Sequence, residues 1–228
     1  MNDLKDQVNL WNQESWNYFE RNYGGKKLNE IPINSYLKHL LQIYPLTISA
    51  GGRGSILEIG CGAGNNLNHL RRLLGAGRVV GTEPSSRVIQ ALRRAFPEME
   101  FYVSDSISLP FHTNEFDMVI LRSVLHWIDR NYLMQTLGEA IRVTKQYLIV
   151  SDFAPHQPYS VIYKHVPQWR TFKMAYQQLI EATHCMRLLS SLYSNDGDEW
   201  KSVQTLLFRK VPTEDAFPLQ REEDFQKG

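Results

Sequence analysis

Residues 56–67, ILEIGCGAGNNL, constrain the fold of this chain more than any other segment. An apolar run comes first, three glycines at alternate positions follow it, and an amphipathic stretch comes after them. Glycine is required where a chain turns sharply and where a ligand must approach bare backbone. The segment therefore predicts a buried strand, a ligand-binding loop and a helix, in that order. A strand–turn–helix corner that binds nothing is the alternative interpretation.

Short apolar runs alternate with amphipathic stretches from residue 55 onward. This alternation is typical of βαβ units, which place parallel strands in one sheet with helices on both faces. Seven strands are predicted, at residues 56–59, 78–82, 100–103, 116–121, 147–150, 186–193 and 203–211. Helices are predicted around residues 67–74, 85–96 and 131–143. The predicted fold class is α/β, a Rossmann-like, mainly parallel seven-stranded sheet with an N-terminal helical cap.

The segments on either side of this alternation have a different character. Residues 1–50 are predicted to form the helical cap, with a second helix at residues 35–44. Residues 152–185 begin with prolines, aromatic residues and histidines, which indicate a loop, and a helix is predicted at residues 171–183. The loop is too aromatic to be a mere linker.

The glycine spacing separates two kinds of cofactor-binding loop. A dinucleotide-binding loop has the pattern G-x-G-x-x-G. Its third glycine would fall on Asn65 if the motif began at Gly60 and on Leu67 if it began at Gly62, so a nicotinamide-dependent oxidoreductase is disfavoured. The observed pattern is E-x-G-x-G-x-G, with Glu58 before the first glycine, and it resembles motif I of the class I S-adenosylmethionine-dependent methyltransferases. The resemblance implies that S-adenosylmethionine is the cofactor.

Two further acidic residues follow in the order that the resemblance implies. Glu83 ends the second strand, 19 residues after Gly64, where a carboxylate accepts hydrogen bonds from a ribose diol. Asp105 follows the third strand, and the family assigns such a residue to the adenine amino group, with backbone N–H groups of the next residues facing the ring. Residues 109–117 resemble the type 11 subgroup of the family. A solvated Glu83 and a turn-forming Asp105 are the alternatives.

The resemblance implies one set of cofactor-binding residues. They are Glu58, Gly60, Cys61, Gly62, Gly64, Asn65, Glu83, Pro84, Asp105, Ser106, Ile107, Arg122, Ser123, Trp11 and Tyr18. In family members, backbone carbonyls after the fourth strand hold the methionine amine, which places Arg122 and Ser123 in this set. Trp11 and Tyr18 are expected to fold over the methionine end. A packing role for these aromatic residues and a surface position for Arg122 are the alternatives.

His126 is the first candidate for a catalytic base. It follows the fourth strand at the carboxyl edge, where open α/β sheets bind ligands, and a neutral imidazole accepts a proton. Tyr163 and His165 are the second candidates, because the loop after the fifth strand commonly carries acceptor-binding residues in this family. Residues 152–185 are therefore the expected acceptor-binding loop and helix. Residues 158–165 also resemble methyltransferases of surface-polysaccharide and natural-product pathways. Packing is the alternative role for each candidate.

Composition excludes several other classes of protein. The 228 residues include 25 Lys and Arg against 24 Asp and Glu, so the formal charge of +1 gives no broad attraction to nucleic acid or to an anionic membrane. Two cysteines are too few for a disulfide framework or a structural zinc site, and no metal site is predicted. The N-terminal segment is polar and no apolar run approaches the length of a membrane span, so a cytoplasmic location is expected.

These features together predict an enzyme that methylates a hydroxyl of a small molecule or sugar by in-line displacement. Its methyltransferase domain is expected at residues 51–211, followed by a polar tail at residues 212–228. The D/N/S-P-P-aromatic step of base-modifying methyltransferases is absent after the fourth strand, which disfavours nucleic acid as acceptor. N-methylation of a small amine and a non-catalytic subunit that activates a partner are the alternative functions. A homodimer is compatible with each of these functions.

Overall fold

The seven strands predicted from the sequence form one sheet in the computed structural model of the chain, which describes residues 4–32, 54–75, 77–194 and 202–216. The strands of the described chain are β1 (Ile56–Ile59), β2 (Val79–Glu83), β3 (Glu100–Val103), β4 (Phe116–Arg122), β5 (Thr144–Phe153), β6 (Tyr159–Ile162), β7 (Arg170–Lys173), β8 (Met186–Ser194) and β9 (Val203–Lys210). The sheet order is β3-β2-β1-β4-β5-β9-β8, and only β9 runs antiparallel to its neighbours. The predicted mainly parallel, Rossmann-like sheet is confirmed.

Helices cover both faces of this sheet. The described α-helices are α1 (Leu4–Tyr23), α2 (Asn65–Leu74), α3 (Ser86–Ala95), α4 (Arg130–Val143), α5 (Gln177–Glu181) and α6 (Thr213–Ala216), and 3₁₀ helices span Leu28–Glu30 and Leu125–Trp127. On one face, α1, α2 and α3 share a core with Ile56 and Ile120. On the other face, α4 and α5 share a core with Leu57 and Val119. Successive strand residues point to opposite faces, so adjacent residues of β1 and of β4 supply both cores.

The carboxyl ends of the central parallel strands meet at one edge of the sheet. Strand β1 pairs with β2 on one side and with β4 on the other, so the strand order reverses between β1 and β4. Open α/β sheets bind ligands in the crevice beyond such a reversal. The 3₁₀ helix Leu125–Trp127 begins three residues after β4 and therefore lies at this edge.

The segment between β5 and β8 differs from the predicted loop and helix. Strands β6 and β7 form an antiparallel hairpin in which Tyr159 lies opposite Lys173, and helix α5 begins only at Gln177. The helix predicted at residues 171–183 is therefore wrong over its first six residues. Thr171 is buried within β7 and pairs with Val161 of β6, and Thr171 and Phe172 are both residue types that favour strands. The expected acceptor-binding loop and helix is a hairpin followed by a short helix.

The described part of the predicted N-terminal cap contains helix α1 and the 3₁₀ helix Leu28–Glu30, and the helix predicted at residues 35–44 lies outside the described residues. Trp16 of α1 stacks on Phe19 at 5.7 Å between ring centroids, and the Arg87 guanidinium of α3 lies 4.1 Å from the Trp16 ring centroid. These contacts pack α1 against the helical layer of the sheet. The described part of the predicted tail contains α6. No helix in the described ranges is long and apolar enough to cross a membrane.

Candidate active site

A cavity of about 790 Å³ opens at the carboxyl edge of the sheet. It is bounded by helix α1, the glycine loop between β1 and α2, the ends of β2, β3 and β4, and the turn of the β6–β7 hairpin. With the exception of Gly64, every predicted cofactor-binding and catalytic residue lines this cavity. The structure therefore brings these residues together, and the role of each one stays a prediction.

The glycine loop has three residues in the left-handed region, with φ of 68° at Gly60, 54° at Gly62 and 69° at Gly64. A Cβ at Gly60 would lie 2.6 Å from Val124 Cγ2, so a larger residue would clash there. A Cβ at Gly62 would have no heavy atom within 4 Å, because Gly62 borders the cavity. A Cβ at Gly64 would lie 3.2 Å from Leu92 Cδ2, which places Gly64 in the contact between α2 and α3.

Glu83 ends β2 with its carboxylate buried beside the glycine loop. Its Oε2 accepts a hydrogen bond from the Gly62 backbone N–H at 3.1 Å, and its Oε1 accepts one from the Ser15 hydroxyl of α1. Burial raises the pKa of Glu83 above its ordinary value, while these two hydrogen bonds act in the opposite direction. A carboxylate in this position can accept hydrogen bonds from ribose hydroxyls, so the geometry fits the predicted role.

Glu58 is fully buried in β1 and lines the same cavity. Its Oε1 accepts a hydrogen bond from Asn66 Nδ2 at 2.5 Å, and Asn66 Oδ1 accepts one from Arg122 Nη1 at 3.1 Å. Its Oε2 is buried with no hydrogen-bond partner among the described residues. Burial raises the pKa of Glu58 to about 7, while the Asn66 hydrogen bond and the Arg122 charge act in the opposite direction. An unpartnered buried oxygen calls for a donor, which a bound cofactor can supply.

Asp105 follows β3 at the cavity wall. Its Oδ1 accepts hydrogen bonds from the backbone N–H groups of Ile107 and Ser108, both at 3.1 Å, so Asp105 forms the turn that was its alternative interpretation. The Ile107 N–H, expected to face an adenine ring, thus points to Asp105. Ser106 Oγ lies 3.1 Å from Thr136 Oγ1 of α4, which anchors the turn. Adenine binding remains compatible with this geometry, because the turn uses only Oδ1.

His126 is buried in the 3₁₀ helix after β4 and lines the cavity. Its Nδ1 lies 2.7 Å from Asp152 Oδ1, and its backbone N–H donates to Asp152 Oδ2 at 3.3 Å. Asp152 is buried near the end of β5. A carboxylate oxygen accepts, so Nδ1 carries a proton, and in the neutral imidazole the lone pair is therefore on Nε2. This is the arrangement that a general base requires.

Aromatic rings form one wall of the cavity, which we call the ring wall: His126, Trp127, Tyr163 and His165. Neighbouring centroids are 4.9 Å apart from His126 to Trp127, 4.7 Å from Trp127 to Tyr163 and 5.3 Å from Tyr163 to His165. Trp11 of α1 meets Trp127 edge to face at 5.0 Å. The ring wall therefore connects the predicted base with both of the second candidates. Trp11 lines the cavity and packs against this wall, and its predicted position over the methionine end stays a prediction.

The Tyr163 hydroxyl lies between two charged residues of α1. It donates to Glu14 Oε1 at 2.8 Å and accepts from Arg21 Nη2 at 2.8 Å, and Arg21 also forms an ion pair with Glu14. Burial and the hydrogen bond to Glu14 raise the pKa of Tyr163, so the phenol stays protonated near neutral pH. These contacts join the hairpin to α1, and they disfavour Tyr163 as a base.

Sequence reasoning missed four polar residues of this site, namely Ser15, Glu14, Asn66 and Asp152. The position of Asp152 could have been recognised from the sequence. It lies near the carboxyl end of β5, which pairs with β4, and His126 follows β4. Ser15 and Glu14 lie within a helix that was predicted only from its aromatic spacing. Their partners are 68 and 149 positions away along the chain, so no local pattern could identify them.

The residues present fit S-adenosylmethionine on three observations. Gly62 leaves open space where a ligand can approach the loop. Glu83 presents a buried carboxylate at the end of β2, and Glu58 Oε2 lies at the cavity without a partner in the described structure. The described ranges contain no group of three His, Cys, Asp or Glu side chains that could hold a metal ion.

Comparison with known proteins places the central segment in a family. Residues 56–147 match the family model described as methyltransferase domain. Phthiotriol/phenolphthiotriol dimycocerosates methyltransferase 1 of Mycobacterium ulcerans is 28% identical over 104 residues, a match that spans 44% of this chain and 38% of that protein. The matched part is thus well under half of the curated relative's length.

Solved structures show the same fold over nearly the whole chain. The 1,6-didemethyltoxoflavin-N1-methyltransferase of Burkholderia thailandensis, with 1,6-didemethyltoxoflavin and S-adenosylhomocysteine bound, has a TM-score of 0.69 at 12% identity and covers 93% of this chain and 92% of its own. Magnesium protoporphyrin IX methyltransferase of Synechocystis PCC 6803, with S-adenosylmethionine bound, has a TM-score of 0.63 at 14% identity over 92% and 100% of the two chains. Residues 56–147 therefore match a methyltransferase domain, and the chain has the fold of these methyltransferases that bind S-adenosylmethionine or S-adenosylhomocysteine.

Proposed function

We propose that this protein transfers a methyl group from S-adenosylmethionine to a hydroxyl of a small molecule or sugar. The observation that carries the proposal is the buried His126–Asp152 pair, in which His126 lines the same cavity as the glycine loop and Glu83. A proton acceptor next to a cofactor site is what hydroxyl methylation needs, because the hydroxyl loses its proton as the new bond forms.

The chain's own residues would hold the cofactor through three groups. Glu83 accepts hydrogen bonds from the ribose hydroxyls, Asp105 accepts from the adenine amine, and Gly62 allows close approach to the loop backbone. Glu58 and Arg122 place opposite charges near the end of β1 and β4, where an amino-acid group with both charges can be bound. S-adenosylmethionine, when bound, would supply a methyl group on its sulfonium, and the acceptor oxygen would bond to that carbon in line as the carbon–sulfur bond breaks and S-adenosylhomocysteine leaves.

His126 would accept the hydroxyl proton on Nε2 during the transfer. Asp152 holds the imidazole by its Nδ1–H, which fixes the tautomer and stabilises the imidazolium that forms. General base catalysis of this kind contributes about 10²–10⁴-fold to a rate. His165 lies at the far end of the ring wall and is the second candidate for this role.

A small amine is the second candidate acceptor. The structure from Burkholderia thailandensis with a TM-score of 0.69 is named as an N1-methyltransferase, and its fold matches 93% of this chain. An unprotonated amine attacks through its lone pair and needs no base during the transfer. The two acceptor classes therefore predict different consequences of removing His126.

The proposal can be tested with S-adenosylmethionine labelled in its methyl group, the purified protein and an extract of the source cells. Label in a low-molecular-weight or sugar-linked fraction would support the proposal and identify the acceptor. Label in protein or nucleic acid would refute the acceptor class, and no transfer with normal cofactor binding would refute the catalytic function in favour of a partner subunit.

The role of the base can be tested with His126→Ala and Asp152→Asn on the identified acceptor. We expect His126→Ala to lower turnover by about 10²-fold or more with little change in cofactor affinity, and Asp152→Asn to act in the same direction. His112→Ala is the matched control, because His112 is exposed and does not line the cavity. Turnover unchanged by His126→Ala would favour an amine acceptor or His165 as the base.

A further inference from the structure

We propose that the acceptor has a flat apolar body and an anionic group, with the body against Trp127 and Tyr163 and the anionic group beside Lys164 and His165. This inference rests on the proposed function, since it names the class of acceptor that the methyltransferase site takes. It is more specific than the proposed function, which names only a small molecule or sugar, because it assigns the acceptor a flat apolar body and an anionic group.

The ring wall determines the shape of the acceptor's body. Trp127 lies between His126 and Tyr163, with centroid distances of 4.9 and 4.7 Å, and the wall continues at 5.3 Å to His165. All four residues line the cavity. Aromatic side chains bind flat apolar groups through large contact areas and preferred ring geometries. Trp127 and Tyr163 meet edge to face, with 89° between their ring planes, so a flat body beside them would lie on one ring and meet the edge of the other. We place the acceptor's body there because Trp127 lies next to His126.

The anionic group of the acceptor is inferred from the basic residues at the hairpin end of the cavity. Lys164 and His165 are exposed residues of the hairpin turn that line the cavity, and neither forms an ion pair with any described carboxylate. The other basic residue of this region, Arg21, is neutralised by its ion pair with Glu14. An anionic group beside Lys164 would therefore gain a partner without breaking an existing ion pair.

The unpaired carboxyl groups that line the cavity lie away from Lys164 and His165. Glu58 and Glu83 lie beside the glycine loop, and Asp105 follows β3, so all three belong to the predicted cofactor end. The remaining acidic lining residue, Glu14, is paired with Arg21. Arg122 also lies at the cofactor end, beside Glu58, so that end has three carboxyl groups against one guanidinium, while the hairpin end is basic. Charges arranged in this way attract an anionic ligand to the basic end and give it one orientation.

The proposal can be tested with two probes that differ in one charge, 6-hydroxy-2-naphthoate and 6-hydroxy-2-naphthamide. Each has a hydroxyl on a flat ring system. The naphthoate carries an anionic carboxylate where the naphthamide carries a neutral amide. Binding is measured by equilibrium dialysis to the full chain saturated with S-adenosylhomocysteine. We expect the naphthoate to bind about two- to fivefold more tightly for each exposed ion pair formed, and the preference to decrease as salt is raised.

The double variant Lys164→Met/His165→Asn should remove the preference, and both side chains are exposed, so folding should be unaffected. Lys145→Met is the matched control, because Lys145 is exposed and does not line the cavity. Equal binding of both probes would refute the anionic subsite. Failure of both probes to bind, with normal S-adenosylhomocysteine binding, would refute the flat acceptor while leaving the methyltransferase proposal intact. Failure of S-adenosylhomocysteine itself to bind would refute both.

Discussion

Replacing Glu58 with Gln should make the folding stability of this protein less dependent on pH. Glu58 is 1% exposed, and its Oε2 has no hydrogen-bond partner in the described structure. Burial raises its pKa from 4.5 to about 7, despite the hydrogen bond from Asn66 and the charge of Arg122. The folded state therefore binds the proton more tightly than the unfolded state does.

The sign and size of the effect follow from this difference. Below pH 4.5 Glu58 is protonated in both states, and stability is then highest with respect to this group. As the pH rises through 4.5 the unfolded state loses its proton first, so stability falls until the folded state also ionises near pH 7. Each pKa unit corresponds to about 1.4 kcal/mol, so the loss is about 3 kcal/mol in the free energy of unfolding.

Urea denaturation followed by circular dichroism at about pH 5 and pH 8, without cofactor, measures this loss. From pH 5 to pH 8, Glu58→Gln should gain stability relative to the wild type by about 2–3 kcal/mol, because glutamine does not titrate and part of the wild-type loss occurs below pH 5. Glu20→Gln is the control, since Glu20 is exposed on α1 and should leave the pH dependence unchanged. Parallel stability curves for Glu58→Gln and the wild type would refute the reasoning.

Three further predictions concern the glycine loop. Gly60→Ala should lower the free energy of unfolding by about 1–3 kcal/mol in chemical denaturation, because its Cβ would lie 2.6 Å from Val124 Cγ2 at a φ of 68°; an unchanged midpoint would contradict this. Gly62→Ala and the control Gly25→Ala should each lower the free energy of unfolding by about 1 kcal/mol, because both glycines have positive φ and open surroundings. Only Gly62→Ala should also weaken S-adenosylhomocysteine binding, measured by calorimetry. Equal binding by the two variants would argue against the loop as the cofactor site. Cys61 should resist iodoacetamide at about pH 8 in the folded protein, because burial raises the pKa of its thiol well above the ordinary value; rapid modification of Cys61 in mass spectrometry would show that the loop opens.

Much of the fold could be predicted because its signals are local. The seven strands appear as short apolar runs, and the amphipathic stretches between them indicate the helices on both faces. The hairpin at β6 and β7 could not be predicted in the same way. Thr171 and Phe172 favour strands, but two residues are too short a signal to outweigh the helical interpretation of the segment. Their partners lie in residues 159–162, so the pairing itself leaves no pattern within the segment.

The meeting of the strand-end carboxylates at one edge of the sheet could be predicted for a related reason. Glu83 and Asp105 follow strands directly, and parallel strands bring their carboxyl ends to one edge, so order along the chain implies proximity in space. Gly64 shows the limit of this reasoning, because motif spacing alone cannot tell a glycine that borders a ligand from one that lets two helices approach.

The sequence by itself determined the sheet, the glycine loop and the strand-end carboxylates, because each depends on residues that are neighbours along the chain. Only the tertiary structure decided which side chains meet across the cavity. Ser15 reaches Glu83, Asp152 orients His126, and these pairs are 68 and 26 positions apart. Such contacts depend on how helices and strands pack as whole elements. Side chains that pair across packed elements leave no periodic pattern in either segment, so only the folded chain reveals them.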